Sequence, residues 1–93
     1  MPELNIVIKH PTGLHARPAS QFVRTAAKFP CDITVRNLTC ISPSVNAKSI
    51  LSVLTLGVVQ NNMIQIVATG EKAIEALASL KDLIEANFAD NIT

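Results

Sequence analysis

The chain has 93 residues, 48% of them hydrophobic, with five prolines and three glycines, so it is one small folded domain rather than a disordered tract. A net charge of +1, with basic and acidic residues scattered, excludes nucleic-acid binding that rests on phosphate neutralisation. No apolar run approaches ~18 residues and no secretory pattern opens the chain, so a soluble, cytoplasmic protein without membrane contact is expected.

Leu4, Ile6 and Ile8 alternate with Asn5, Val7 and Lys9, which predicts a first strand with one face inward. His10-Pro11-Thr12-Gly13 breaks it with turn residues, His10 being a polar residue at the strand end. The run Gly13-Leu14-His15-Ala16-Arg17-Pro18-Ala19-Ser20 follows. Proline lacks an N–H and holds φ near the helical value, so Pro18 belongs in the first turn of a helix. His15 is thereby predicted at a helix start, where free N–H groups and the positive end of the dipole attract anions. The same field disfavours the imidazolium, leaving a neutral ring able to attack a phosphate-sized group. The expected chemistry is a transient phosphohistidine.

From Ala16 to about Phe29, Ala19, Phe22, Val23, Ala26 and Ala27 recur at helical spacing. Arg17, Gln21, Arg24 and Lys28 fall on the wet side, and Pro30 stops the helix. Ile33 and Val35 alternate with Asp32, Thr34 and Arg36 as a second strand. The turn-rich stretch Asn37 to Ser44 leads into a short third strand around Ser44 to Ala47. Ser49 is placed to cap a short apolar helix, Ile50 to Leu56, closed by Gly57. Asn61-Asn62 turns into a last strand, Met63 to Ala68. A final helix, Glu71 to Phe88, follows Gly70 with Ile74, Leu77, Leu80, Ile84 and Phe88 as its stripe.

The order is therefore βαββαβα. A helix between the first two strands suits a crossover, leaving room for the fourth strand to insert antiparallel between them. This predicts an α+β, open-faced two-layer sandwich. Cys31 and Cys40 lack metal-ligand or Cys-x-x-Cys spacing and fall near different ends of a hairpin, so both are expected to be reduced fillers. Asn37-Leu38-Thr39 and Asn91-Ile92-Thr93 match a glycosylation sequon by coincidence, given no secretory signal.

Two segments together resemble the HPr family, the histidine-containing phosphocarriers of the bacterial phosphoenolpyruvate-dependent sugar phosphotransferase system. They are Gly13 through Ala19 and Val45-Asn46-Ala47-Lys48-Ser49-Ile50-Leu51-Ser52-Val53-Leu54-Thr55-Leu56-Gly57-Val58, in the right order and at nearly the right separation. The resemblance runs nearly end to end. It implies a four-stranded, mostly antiparallel sheet of order 1-4-2-3 covered on one face by three helices. It further implies phosphorylation of His15 on Nδ1 by enzyme I and onward transfer to sugar-specific IIA domains, by a monomeric carrier rather than an enzyme. No cofactor or metal is implied. Ser49 matches a position phosphorylated in many members by a dedicated HPr serine kinase/phosphorylase, a further candidate partner. Two departures stand out: Asn37 to Ser44 is about three residues longer than the usual hairpin, and Ala47 stands where a leucine is common.

Arg17 is the expected electrostatic partner of the phosphate, able to fork onto its oxygens. Thr12 either donates a hydrogen bond to His15 or caps the helix region and makes the turn, and Ala16 and Arg17 supply the framing N–H groups. Ile50, Leu51 and Leu54 lie at i, i+1 and i+4, while Val53 and Leu56 can face inward, so the first three are candidates for a docking patch. Arg24, Lys28 and Lys48 could ring it and meet acidic partners. A second function class also fits these residues: a regulatory interaction protein controlled through phosphorylation of Ser49, in carbon or nitrogen regulation.

Overall fold

Alternating apolar residues build the sheet first. In a computed structural model, which describes residues 2–10, 13–14, 16–40, 42–86 and 88, the strands are β1 (Glu3–Val7), β2 (Asp32–Asn37), β3 (Val45–Asn46) and β4 (Met63–Thr69). They form one sheet of order β1-β4-β2-β3, and every paired neighbour is antiparallel. β4 lies between β1 and β2, with Ile6 opposite Ile64 and Val35 opposite Ile66. β1 and β2 consequently run parallel, the geometry a helical crossover requires. Ile33, Val35, Ile64, Ile66 and Ala68 face the helices and are buried. Glu3, Gln65 and Arg36 line the other face and are bridged there, Arg36 Nε donating to Gln65 Oε1 at 2.9 Å and Gln65 Nε2 to Glu3 Oε2 at 3.3 Å.

Three helices, α1 (Ala16–Ala27), α2 (Ile50–Leu54) and α3 (Ala73–Glu85), cover the apolar face. Phe22, Ala19 and Ala26 of α1 and Leu80, Leu77, Ala76 and Ile84 of α3 meet the sheet in one core. The fold is the one expected, an open-faced α+β sandwich, and the helix ends differ in instructive ways. α1 stops at Ala27, where Lys28 and Phe29 donate to Thr25 and Ala26 in tightened i→i−3 bonds, and Ala27 is exposed. α2 ends at Leu54 with Thr55 as its C-cap. Gly57, expected as that cap, lies two residues further on with φ +62°.

α3 begins at Ala73 rather than Glu71, because Lys72 adopts a left-handed conformation (φ 66°) as its N-cap. Its buried stripe is Ala73, Ala76, Leu77, Leu80 and Ile84, and Ile74, expected in that stripe, is 72% exposed. The helix closes before Phe88, whose N–H donates to Leu83 O at 2.9 Å while its ring packs edge-on against His10 at a centroid distance of 5.9 Å. His10 is thus a packed residue as well as a strand-end polar one.

Cys31 is buried, but Cys40 is exposed in the turn after β2, so only the first fills space in the core. The sequon at Asn37 is closed off, since this side chain is fully buried and its Nδ2 donates to Leu56 O and Asn62 Oδ1. Asn91 lies outside the described residues.

Candidate functional site

The segment entering α1 is held by backbone rather than by side-chain bulk. Gly13 has φ +67°, and a Cβ there would come within 2.2 Å of Val58 O and 2.6 Å of Val59 Cα. Only glycine fits such an approach, and only glycine accepts that φ at little cost. Gly13 N–H donates to His10 O at 2.9 Å, and Leu14 N–H to Val58 O at 3.1 Å. Leu14 is fully buried, so the chain is pinned immediately before residue 15.

α1 starts at Ala16, with Pro18 buried in the first turn as its ring chemistry demands. The N–H groups of Ala16 and Arg17 belong to that first turn, which has no helical carbonyl to bond. No acidic residue occupies it. Arg17, an exposed cation, stands where the dipole favours an anion. His15 and Thr12, two of the residues singled out in sequence, lie outside the described residues, as does the side chain of Ala16.

Ser49 is the N-cap of α2, with φ −110° and ψ 115°, and its Oγ accepts from Ser52 N at 3.3 Å. Beyond it Val53 and Leu56 turn inward and are buried. Leu51 is 74% exposed, Ile50 38%, and Leu54 is half-buried and packed against the core. The three expected patch residues therefore divide: Ile50 and Leu51 form the exposed ridge and Leu54 is its footing.

Val59, 52% exposed, adds to the apolar surface beside Gly13. Sequence reasoning passed over it. Its signal was alternation with the buried Val58 in a stretch read only as a connection.

The basic residues also divide. Arg24 and Lys28 are exposed, at and just after the last turn of α1. Lys48 is not a free rim charge, since its Nζ donates to Phe29 O at 2.6 Å. There it neutralises the carbonyl end of α1, the end at which a cation is favoured. Gln21, assigned to the wet side, is half-buried with its Oε1 shut off from water and unpartnered. Among the described residues, no group of three or more His, Cys, Asp and Glu is placed to hold a metal ion.

Beneath the site, two asparagines complete the frame. Val59 N–H donates to Asn62 Oδ1 at 3.1 Å, and Asn37 Nδ2 donates to the same oxygen at 3.2 Å. From sequence Asn62 reads only as a turn residue, and Asn37 only as a turn residue and a coincidental sequon.

A chain pinned ahead of a helix N-terminus, beside an exposed apolar ridge, on an open-faced α+β sandwich, is the arrangement of a small single-domain protein with a helix entrance and an apolar surface side by side. The family described as the phosphorylation site of the PTS HPr component matches residues 2–86, and the chain belongs to that family of phosphocarrier proteins. It is similar to the phosphocarrier protein HPr of Buchnera aphidicola subsp. Acyrthosiphon pisum, 42% identical over 83 residues that cover 86% of this chain and 94% of that protein. The crystal structure of HPr-C-His from Thermoanaerobacter tengcongensis superposes with a TM-score of 0.90 at 46% identity, covering 99% of this chain and all of that one. The multiphosphoryl transfer protein of Haemophilus influenzae is 40% identical over 86 residues, which cover 92% of this chain and 17% of that much longer protein.

Proposed function

We propose that this chain carries a phosphoryl group on His15, taking it from enzyme I and passing it to sugar-specific IIA domains of the phosphotransferase system. The observation that carries this reading is the first turn of α1. It has no acidic residue to satisfy the dipole, it bears Arg17 instead, and a single residue, His15, separates it from the buried Leu14. An anion belongs there, and the chain does not supply one in that turn.

In the proposed step the Nδ1 lone pair of neutral His15 attacks phosphorus, forming an N–P bond as the bond to the donor histidine breaks. The N–H groups of Ala16 and Arg17 and the Arg17 guanidinium meet the charge on the equatorial oxygens. The reverse sequence delivers the group to the next carrier. Because donor and acceptor must be of similar energy, the site holds the phosphate through few contacts at the surface. Ile50, Leu51 and Val59 form the apolar part of the docking face, with Leu54 beneath and Arg24 at its basic side.

No described helix is long and apolar enough to cross a membrane. We read the carrier as a cytoplasmic monomer without a cofactor. A regulatory use of Ser49 rests on its place as the N-cap of α2, next to Ile50 and Leu51. Phosphorylation there would add nearly two negative charges where the helix tolerates them and beside the apolar ridge, altering partner choice.

Incubation with phosphoenolpyruvate and enzyme I tests the carrier reading. The expected result is an acid-labile gain of about 80 Da, one phosphoryl group, abolished in His15→Ala and kept in Ser49→Ala. No gain in the unmodified protein would overturn it in favour of the Ser49-controlled regulator.

A further inference from the structure

We infer that Asn62, held by Asn37, is a positioning residue for the phosphoryl site, acting through one peptide group; this rests on the carrier reading of His15. The peptide joining Val58 to Val59 is gripped at both ends. Its carbonyl accepts Leu14 N–H at 3.1 Å, and its N–H donates to Asn62 Oδ1 at 3.1 Å. The two bonds run in one direction through a polarisable amide, so each strengthens the other.

The carbonyl face of this peptide is also what Gly13 abuts, at a distance no other residue could tolerate. A tilt of that plane therefore moves Gly13 and Leu14 together, and with them the backbone entering residue 15.

Asn62 cannot rotate away, because it is buried and its oxygen also takes Asn37 Nδ2 at 3.2 Å. Asn37 is fixed in turn: its Oδ1 accepts from Thr39 N and Cys40 N at 3.0 and 3.2 Å, and its Nδ2 reaches Leu56 O at 3.4 Å. Asn62 N–H closes on Val59 O at 3.1 Å, and its carbonyl takes Ile8 N–H at 2.8 Å. The β2–β3 connection is thereby wired to the segment between α2 and β4. Asn62 uses only its oxygen side chain atom in these bonds, a feature that makes the idea separable from simple packing.

The experiment compares Asn62→Leu, which fills the same space without an acceptor, with Asn62→Asp, which keeps it. In Asn62→Leu the exchange rate of the Leu14 amide, followed by NMR on the unphosphorylated protein, should rise by about tenfold, the scale of a lost buried hydrogen bond. Labelling by enzyme I at saturating carrier should slow by about the same factor, with half-saturation unchanged because the exposed ridge of Ile50 and Leu51 is untouched. Asn62→Asp should restore both. If Asn62→Leu does not fold, Asn37→Asp serves instead, since it keeps the oxygen used by Thr39 and Cys40 and replaces the donor to Asn62 Oδ1 with an acceptor that repels it.

Unchanged Leu14 exchange in the variant that folds, or equal losses in Asn62→Asp and Asn62→Leu, overturns the inference. Failure of the unmodified protein to be labelled strikes the carrier reading alone, because the exchange measurement needs no phosphate.

Discussion

The N-termini of α1 and α2 face the same physical problem and solve it in opposite ways. At α2 the chain supplies its own acceptor, the Ser49 hydroxyl, which takes Ser52 N–H. At α1 the first turn holds a cation and no acid, behind a loop fixed by Gly13 and Leu14. The first end is satisfied by its own side chain, while the second has no acid in its first turn and, in the proposed function, takes its anion from outside. Helix capping and anion binding are one interaction with different sources of negative charge. α3 offers a third case, with no side-chain cap at Lys72 but Glu75 in its first turn.

The comparison breaks hardest at Gly13. Gly13→Ala puts a methyl into Val58 O and forces a left-handed residue, and should cost about 2–4 kcal/mol in thermal or urea unfolding. A loss below about 0.5 kcal/mol would mean that the loop is not pinned as described.

Arg17→Ala comes next. Transfer from enzyme I should slow by ten- to about a hundredfold, as when one preorganised donor to a developing charge is removed. Stability should hold or rise slightly, by about 0.3–1 kcal/mol, because a cation leaves the positive end of a helix. Loss of stability together with loss of transfer would assign Arg17 a structural role.

Ser49→Ala removes the α2 cap and should cost roughly 1 kcal/mol while leaving labelling of His15 intact, read by denaturation and mass spectrometry on one sample. The smallest effect on folding is expected at Leu51→Asp, within about 0.5 kcal/mol because the side chain is largely exposed. Its transfer kinetics should instead show a raised half-saturation with the maximal rate kept, and an unaltered value would remove Leu51 from the docking face.

Much of the fold was legible because its signals are local. Alternation in β1, β2 and β4, the proline of α1 and the serine cap of α2 each depend on neighbours in sequence. The crossover left room for β4 between β1 and β2, and the full strand order came with the family resemblance. The entrance to α1 was legible for the same reason, since Gly13 through Pro18 encode a turn and a helix start within a few residues.

What sequence concealed depends on distant partners. Asn37 reads as a turn former until Leu56 and Asn62 stand beside it. Lys48 reads as a solvated charge until the Phe29 carbonyl lies within 2.6 Å. Ile74 misled because its bulk outweighed Ala73 and Ala76, which contribute little to any hydrophobic pattern and yet face the core. The small residues mark the close approach of helix to sheet, and the large one is left in water.

The turn after β2 has a practical consequence. Its early amides end on Asn37 Oδ1, and Asn37 N–H ends on Ser42 Oγ at 2.8 Å, so the turn is closed at its base. Extra residues introduced next to the exposed Cys40 would extend into solvent at an entropic cost that grows only slowly with length. An affinity tag or fluorophore attachment sequence spliced there would leave both helix entrances clear, giving a labelled carrier for single-molecule work.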